Sequence, residues 1–274
     1  MTTMTGVVPA VPGPADHLTA LVLRTVGRSS DCIRLGLERG FDCGEMMDAI
    51  YRNLPSGRWG IGRLVDRVYL DQPGCRGLRG RKALLIRSVS EVVREQRAAG
   101  WSPVILDVAA GPATYLVELL AADRGTDLRA VARDRDAHAL GRGVDLATHA
   151  DVLDRIGFAV GDALDAASIG AIRPRPSIAI ASGFYELLLD DEPIGRSMAI
   201  LREALEPGGT LVFTTQVAHP QVALMSLVPA HDGRPWIIRN RSVAQVEALA
   251  HAAGFGHVET RLEPAGIFAV SVAR

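Results

Sequence analysis

From Pro103 to the last residue, short apolar runs alternate with segments of helical periodicity, and this alternation leaves few folds open. PVILDV, LRAVAR, FAVGDAL, SIAIAS and GTLVFTT read as strands. Helical segments are expected over 113–122, from Asp136 onward, over 191–204 and over 243–253. Strands separated by helices cross over right-handed into a parallel sheet. The closing HVETRLE and GIFAVSVAR are joined by a short turn, which predicts an antiparallel hairpin at the sheet edge. Before Pro103 no stretch has strand character. Apolar positions there recur at helical spacing over 18–39, 44–53, 64–70 and 82–98, with PSGRWGIG and the glycine-rich QPGCRGLRG as breaks. The chain is therefore expected to be an α/β protein whose first hundred residues are helical.

Composition narrows what such a protein does. A chain of 274 residues buries a full core. Its 48% hydrophobic and 22% charged content is that of an ordinary globular enzyme. A formal net charge of -1 argues against a bulk binder of nucleic acid or acidic membrane. No apolar run approaches the roughly 20 residues that span a bilayer. The start MTTMTGVVPAVPGPADH lacks the basic and apolar parts of a signal peptide, and residues 1–17 are expected to form a disordered lead-in. Cys32, Cys43 and Cys75 are odd in number and lack C-x-x-C spacing, so neither a disulfide framework nor a metal site is expected. A reducing cytoplasm fits. Lys82 is the only lysine among 30 basic residues, as in a GC-rich bacterial genome, and lysine chemistry has almost no candidate.

The stretch ILDVAAGPATYLVELL reads as strand, small-residue turn and helix. Asp107 ends the strand, at the carboxyl edge where doubly wound sheets bind ligands. Ala109, Ala110, Gly111 and Ala113 let a ligand approach the backbone. Asp134 ends the second strand, where an acid commonly accepts both hydroxyls of a ribose, and Asp136 is placed to cap the next helix. Asp162 in GDALD ends a third strand, beside the place of an adenine ring. Three acids at successive strand ends, with no Lys or Arg in the turn, suit a nucleoside without a pyrophosphate. They favour S-adenosylmethionine over a dinucleotide and should converge on one hollow. Taken singly, each acid also fits a solvated loop, and any tight turn needs small residues. Against the cofactor stand the methyl of Ala113, where glycine would let the methionine end pass, and Pro112, which lacks an N–H.

Other polar residues fall on the same edge. In IAIASGFYELLLDD, Ser182 lies on the cofactor side, and Tyr185 and Glu186 form a candidate pair with Glu186 as general base for an amine or hydroxyl. The plainer alternative is a helix start with a solvated acid. Asp190, Asp191 and Glu192 suit a helix N-terminus. After the fifth strand, TTQVAHPQ holds Gln216, His219 and Gln221; His219 titrates near neutrality and is a candidate to move a proton, or a structural histidine. In DCGEMMDAIYRN, Asp42, Glu45, Tyr51 and Arg52 form a polar group suited to cationic substrate if the helical region is a lid, or an acidic first turn if it is not. Glu45 and Asp48 share one helix face, and Met46, Met47 and Ile50 account for the core face.

Four stretches carry a resemblance: GFDCGEMMDAIYRNLPSGRWGIGRLVDRVYLDQPGCRGLRGRK, ILDVAAGPATY, ASGFYELLLDD, and TTQVAHPQVALMSLVPAHDGRPWIIRNRS with the closing GIFAVSV. The chain resembles the class I S-adenosylmethionine-dependent methyltransferases. More narrowly, it resembles the bacterial putative-methyltransferase family often fused behind an α/β-hydrolase domain. The similarity covers roughly 20–274, and no hydrolase segment is expected within this chain. Alanine at 109 is usual for that family; at 112–114 it typically reads His-Gly-Arg, where this chain has Pro112, Ala113 and Thr114. The resemblance implies a Rossmann-like, seven-stranded, mostly parallel sheet over 101–274 and a helical lid over 18–100, with a pocket between them. The expected activity is methylation of a small molecule with S-adenosylmethionine, in bacterial secondary metabolism. An enzyme of the same fold that closes a ring within one molecule, such as an aziridine by displacement of an activated leaving group, needs no cofactor and tolerates the altered loop. A non-catalytic partner subunit is the third option. Partners are expected to be a small-molecule substrate and a second copy or a pathway protein, without nucleic acid, since no basic stripe occurs, and without a membrane.

Overall fold

The computed structural model describes residues 11–125 and 127–274, so most of the expected lead-in, over 1–10, lies outside the described residues. Its last part is helical: α1 (Pro14–Arg24) starts with Pro14 in its first turn, where a missing N–H costs nothing. The single helix expected over 18–39 is two, α1 and α2 (Asp31–Arg39), parted by a 3₁₀ turn at Val26–Ser29. The break is held from a distance. In α4 (Ile61–Leu70) the fully buried Asp66 accepts the Ser30 hydroxyl, the Cys32 amide at 3.0 Å and the Ser56 amide at 2.9 Å. Ser30 in turn caps α2 through the Ile33 amide at 3.0 Å. The helix expected over 44–53 is α3 (Gly44–Arg52).

The long helix α5 spans Pro73–Ala98 and so begins inside the glycine-rich stretch that reads as a break. Its glycines recur every third residue on one side. A Cβ on Gly77 would lie 3.2 Å from the Phe268 ring, and one on Gly80 would lie 2.8 Å from Glu263 Oε2. Each glycine costs a helix about 1 kcal/mol relative to alanine. Here the loss is offset by close packing of α5 against the end of the sheet.

The remaining elements follow the expected alternation. They are β1 (Val104–Asp107), α6 (Thr114–Ala122), β2 (Arg129–Asp134), α7 (Ala137–His149), β3 (Ile156–Val160), α8 (Ala166–Gly170), β4 (Ile178–Ala181), α9 (Asp191–Ala204), β5 (Thr210–Gln216), α10 (Val222–Met225), α11 (Val243–Ala252), β6 (Val258–Leu262) and β7 (Phe268–Ala273). Among the described residues they form one seven-stranded sheet in the order β3-β2-β1-β4-β5-β7-β6. β7 runs antiparallel to both neighbours, which makes β6–β7 the expected edge hairpin; the other pairings are parallel.

Strands covered on both faces must be apolar throughout, and β4 is buried at every position. Ile105, Ile178, Ile180 and Val212 pack towards α5 and α6, while Leu106, Ala179, Ala181 and Phe213 pack towards α9 and α11. A third cluster joins Ile33, Phe41, Met46, Ile50 and Leu78 of the helical region to Ile267 and Phe268 of the sheet edge. The helices before Pro103 are thus packed onto the carboxyl end of the sheet. Among the described residues, no helix is long and apolar enough to cross a membrane.

Candidate functional site

A cavity of about 600 Å³ lies between the helical region and the carboxyl edge of the sheet, where strand order reverses between β1 and β4. One end is backbone. Val108, Ala109, Ala110 and Gly111 line it after β1, with Asp134 after β2 and Ser182 and Gly183 after β4. Gly111 has φ of 54°, and a Cβ there would meet only the Gly44 Cα at 3.9 Å, so the loop is open to a ligand. Asp134 braces it: Oδ2 accepts the Gly111 amide at 2.7 Å and Oδ1 the Asp136 amide at 2.9 Å.

The three acids expected to converge do not. Asp134 alone among them lines the cavity. Asp107 is wholly buried beneath the loop, where it accepts the Tyr115 hydroxyl and the Ala109 amide at 3.3 Å. Burial pushes its carboxyl up to about 7. Asp162 lies beyond the end of β3, about half-exposed, and folds back to accept the Leu164 amide at 2.8 Å. It serves its own turn.

The departures in the loop also separate. Ala113 has φ of 53° and no exposure; its methyl belongs to the core cluster and does not line the cavity. Pro112 does line it, and its ring closes on α3, with Cδ 3.1 Å from where a Gly44 Cβ would stand. Thr114 lines it too and donates its hydroxyl to Asp48 of α3, another residue of the wall.

At the other end the side chains are polar. Glu186 lines the cavity yet is almost wholly buried; Oε1 accepts the Thr214 hydroxyl at 2.8 Å and lies 3.3 Å from the Arg81 guanidinium, and Oε2 has no partner. Tyr185 is not its catalytic pair. The turn after β4 sends Tyr185 into the core, where it is 1% exposed, donates to Ser197 at 3.3 Å and packs on Phe213. The buried guanidinium of Arg241 clamps the same turn through the carbonyls of Tyr185 at 3.1 Å and Leu188 at 2.6 Å and the Asp191 carboxylate at 2.7 Å. Glu186 is therefore held both by the clamped turn and by its own contacts to Thr214 and Arg81.

His219 lines the cavity but does not titrate near neutrality, because burial pushes it down to about 4. Its Nδ1 accepts the Gln221 amide at 3.1 Å, which leaves the proton of the neutral ring on Nε2, against Gly74. Gln216 also lines the cavity and donates to Asn240 at 2.9 Å. Gln221 lies outside it, bonded to Gln72 at 3.2 Å.

The acidic group of the helical region divides. Asp42 and Tyr51 line the cavity. Asp42 accepts both the backbone amide of His231 at 2.6 Å and its Nδ1 at 2.7 Å. Glu45 instead faces His138 at 3.2 Å and Arg39 at 3.6 Å, and Arg52 is exposed; neither lines the cavity. Arg81 and Trp236 belong to the cavity and were not among the candidates. Arg81 directly follows the glycine-rich stretch, whose period of three was the available signal. Trp236 sits in a loop without periodicity.

Residues 15–274 match the family described as "Putative methyltransferase". The uncharacterised protein YnbC of Escherichia coli K12 is 36% identical over 254 residues, which cover 92% of this chain and 43% of that protein. The chain thus spans less than half the length of this relative. A Bordetella parapertussis structure, described as a "possible exported protein", superposes with a TM-score of 0.71 at 21% identity, over 99% of this chain and 90% of the other. An O-methyltransferase family protein from Burkholderia thailandensis gives a TM-score of 0.56 at 15% identity, over 89% and 70%. At such identities the structural likeness is one of fold.

Proposed function

The chain belongs to the family of putative methyltransferases, and from that premise we propose that it methylates a small molecule in bacterial secondary metabolism, with S-adenosylmethionine as methyl donor. One observation carries the reading: one cavity is lined by the open Gly111 turn, by Asp134 and by Glu186, whose buried Oε2 has no partner. Its volume of about 600 Å³ is within the usual range for small-molecule sites.

The residues present fit the cofactor. Each oxygen of Asp134 accepts one amide and keeps a second lone pair for a ribose hydroxyl. The backbone from Val108 to Gly111 and Gly183 leaves room beside it, and the Ala113 methyl takes none of that room. Bound there, S-adenosylmethionine supplies an electrophilic methyl group. The chain's own contribution is to orient the acceptor and exclude water. Glu186 Oε2 is the atom that would hold the nucleophile and take its proton. His219, neutral at physiological pH, contributes a hydrogen bond and not a proton relay. A buried carboxylate oxygen without a hydrogen-bond partner is costly in pure scaffold, which speaks against a non-catalytic subunit.

Pro112 favours the second reading, intramolecular ring closure without cofactor, because it presents a ring and no N–H to the cavity. Calorimetric titration with S-adenosylmethionine and S-adenosylhomocysteine separates the two. Methyl transfer requires binding, and Asp134→Ala should weaken it about tenfold or more, the loss of two hydrogen bonds to a charged group. No heat with millimolar ligand would leave ring closure as the reading.

A further inference from the structure

We propose that the cavity lined by Arg81, Glu186 and Trp236 holds a subsite for a zwitterion, an α-amino acid with an apolar side chain, bound through both its ammonium and its carboxylate. The inference rests on the reading of this cavity as an acceptor site and names the class of acceptor.

Buried polar atoms in folded proteins are almost always paired, and each one left unpaired costs about 1–3 kcal/mol. Three stand unpaired here on residues that line one cavity: Arg81 Nε, Glu186 Oε2 and Trp236 Nε1. Two are donors and one is an acceptor. The rest of each ionic group is already committed. Arg81 donates from one terminal nitrogen to the Tyr51 hydroxyl at 3.1 Å, reaches Glu186 Oε1 at 3.3 Å with the other, and lies 5.0 Å above the Phe268 ring. Glu186 Oε1 takes the Thr214 hydroxyl. The free atoms therefore belong to a guanidinium and a carboxylate standing side by side, each with a side-chain exposure of 6%.

Charge balance selects the ligand. Arg81 and Glu186 together are neutral, so a bare amine or a bare acid would bring one uncompensated charge into a buried pair, which is expensive. A zwitterion brings none. Its ammonium meets Glu186 Oε2, and its carboxylate meets the Arg81 and Trp236 donors, with charge-assisted bonds on both sides. Gly183, with φ of 72°, stands beside Arg81, where a Cβ would lie 3.4 Å from one terminal nitrogen of the guanidinium. The neighbouring wall of Leu78, Met225 and Ile238 is apolar and buried.

The probes are L-phenylalanine, 2-phenylethylamine, which lacks the carboxylate, and 3-phenylpropanoate, which lacks the ammonium. Each is titrated into the full chain by calorimetry, with and without saturating S-adenosylhomocysteine. L-Phenylalanine should bind, and each comparator should bind about tenfold more weakly or worse. Glu186→Gln should erase the preference over 3-phenylpropanoate, and Arg81→Met the preference over 2-phenylethylamine. Retained binding of S-adenosylhomocysteine shows that each variant is folded. Equal binding of the three probes, or none of L-phenylalanine by protein that takes up S-adenosylhomocysteine, overturns the subsite and leaves the cofactor reading standing. Binding of L-phenylalanine without any uptake of S-adenosylhomocysteine upholds the subsite and sinks methyl transfer instead.

Discussion

Ala113 shows how a residue's meaning depends on which way its side chain points. In sequence it replaces the glycine that lets a cofactor pass; in the structure its methyl is core. Restoring glycine has opposed effects. It relieves left-handed strain of about 1–2 kcal/mol. It also frees the unfolded chain by about 0.5–1 kcal/mol and removes a buried methyl worth about 0.8 kcal/mol. Ala113→Gly should therefore shift stability by less than about 1 kcal/mol in urea unfolding and leave the affinity for S-adenosylhomocysteine unchanged. A large gain in affinity would return this position to the cavity wall. Tyr185 and Glu186 teach the same lesson: adjacent in sequence, they end on opposite sides of a turn.

The element that departs most from expectation is α5. Three glycines in one turn-like stretch argue for a loop on propensity alone, and tertiary contact reverses that judgement. Because Gly77 lies against Ile267 and Phe268, Gly77→Val must push the helix off the sheet edge. Overpacking of this kind costs about 1–3 kcal/mol, which should appear as a lower urea midpoint with little change in slope. An unchanged midpoint would mean that the close approach is not part of what holds α5 in place. The parallel strands were legible because burial on both faces demands unbroken apolar runs. The ends of elements were less so, as β3 shows by stopping before Asp162.

At the scale of the whole molecule, the helical region is joined to the sheet edge by the apolar cluster around Phe41 and Phe268, and polar contacts add to it. The Phe41 amide donates to the Pro229 carbonyl at 3.0 Å, and Asp42 pairs with His231 beside it. Hydrogen bonding to Asp42 raises the pKa of His231. A raised value means that the folded state binds the proton more tightly. The contact therefore contributes fully below the ordinary histidine range, near 6.5, and fades as pH rises through the raised value. Once corrected for the base catalysis of amide exchange itself, protection at 40–53 and 229–235 should fall with rising pH across that window in the native chain, and not in His231→Gln. If both proteins respond alike, the fastening lies elsewhere. The order of strands and helices, the acid after β2 and the polar residues after β4 and β5 were all determined by the sequence, because period and strand ends are local properties of the chain. Which acid reaches the cavity, which way Tyr185 turns, and that Arg81 meets Glu186 across 105 positions were decided only by the tertiary structure. Direction and pairing of side chains depend on packing between distant segments, and local pattern carries no record of it.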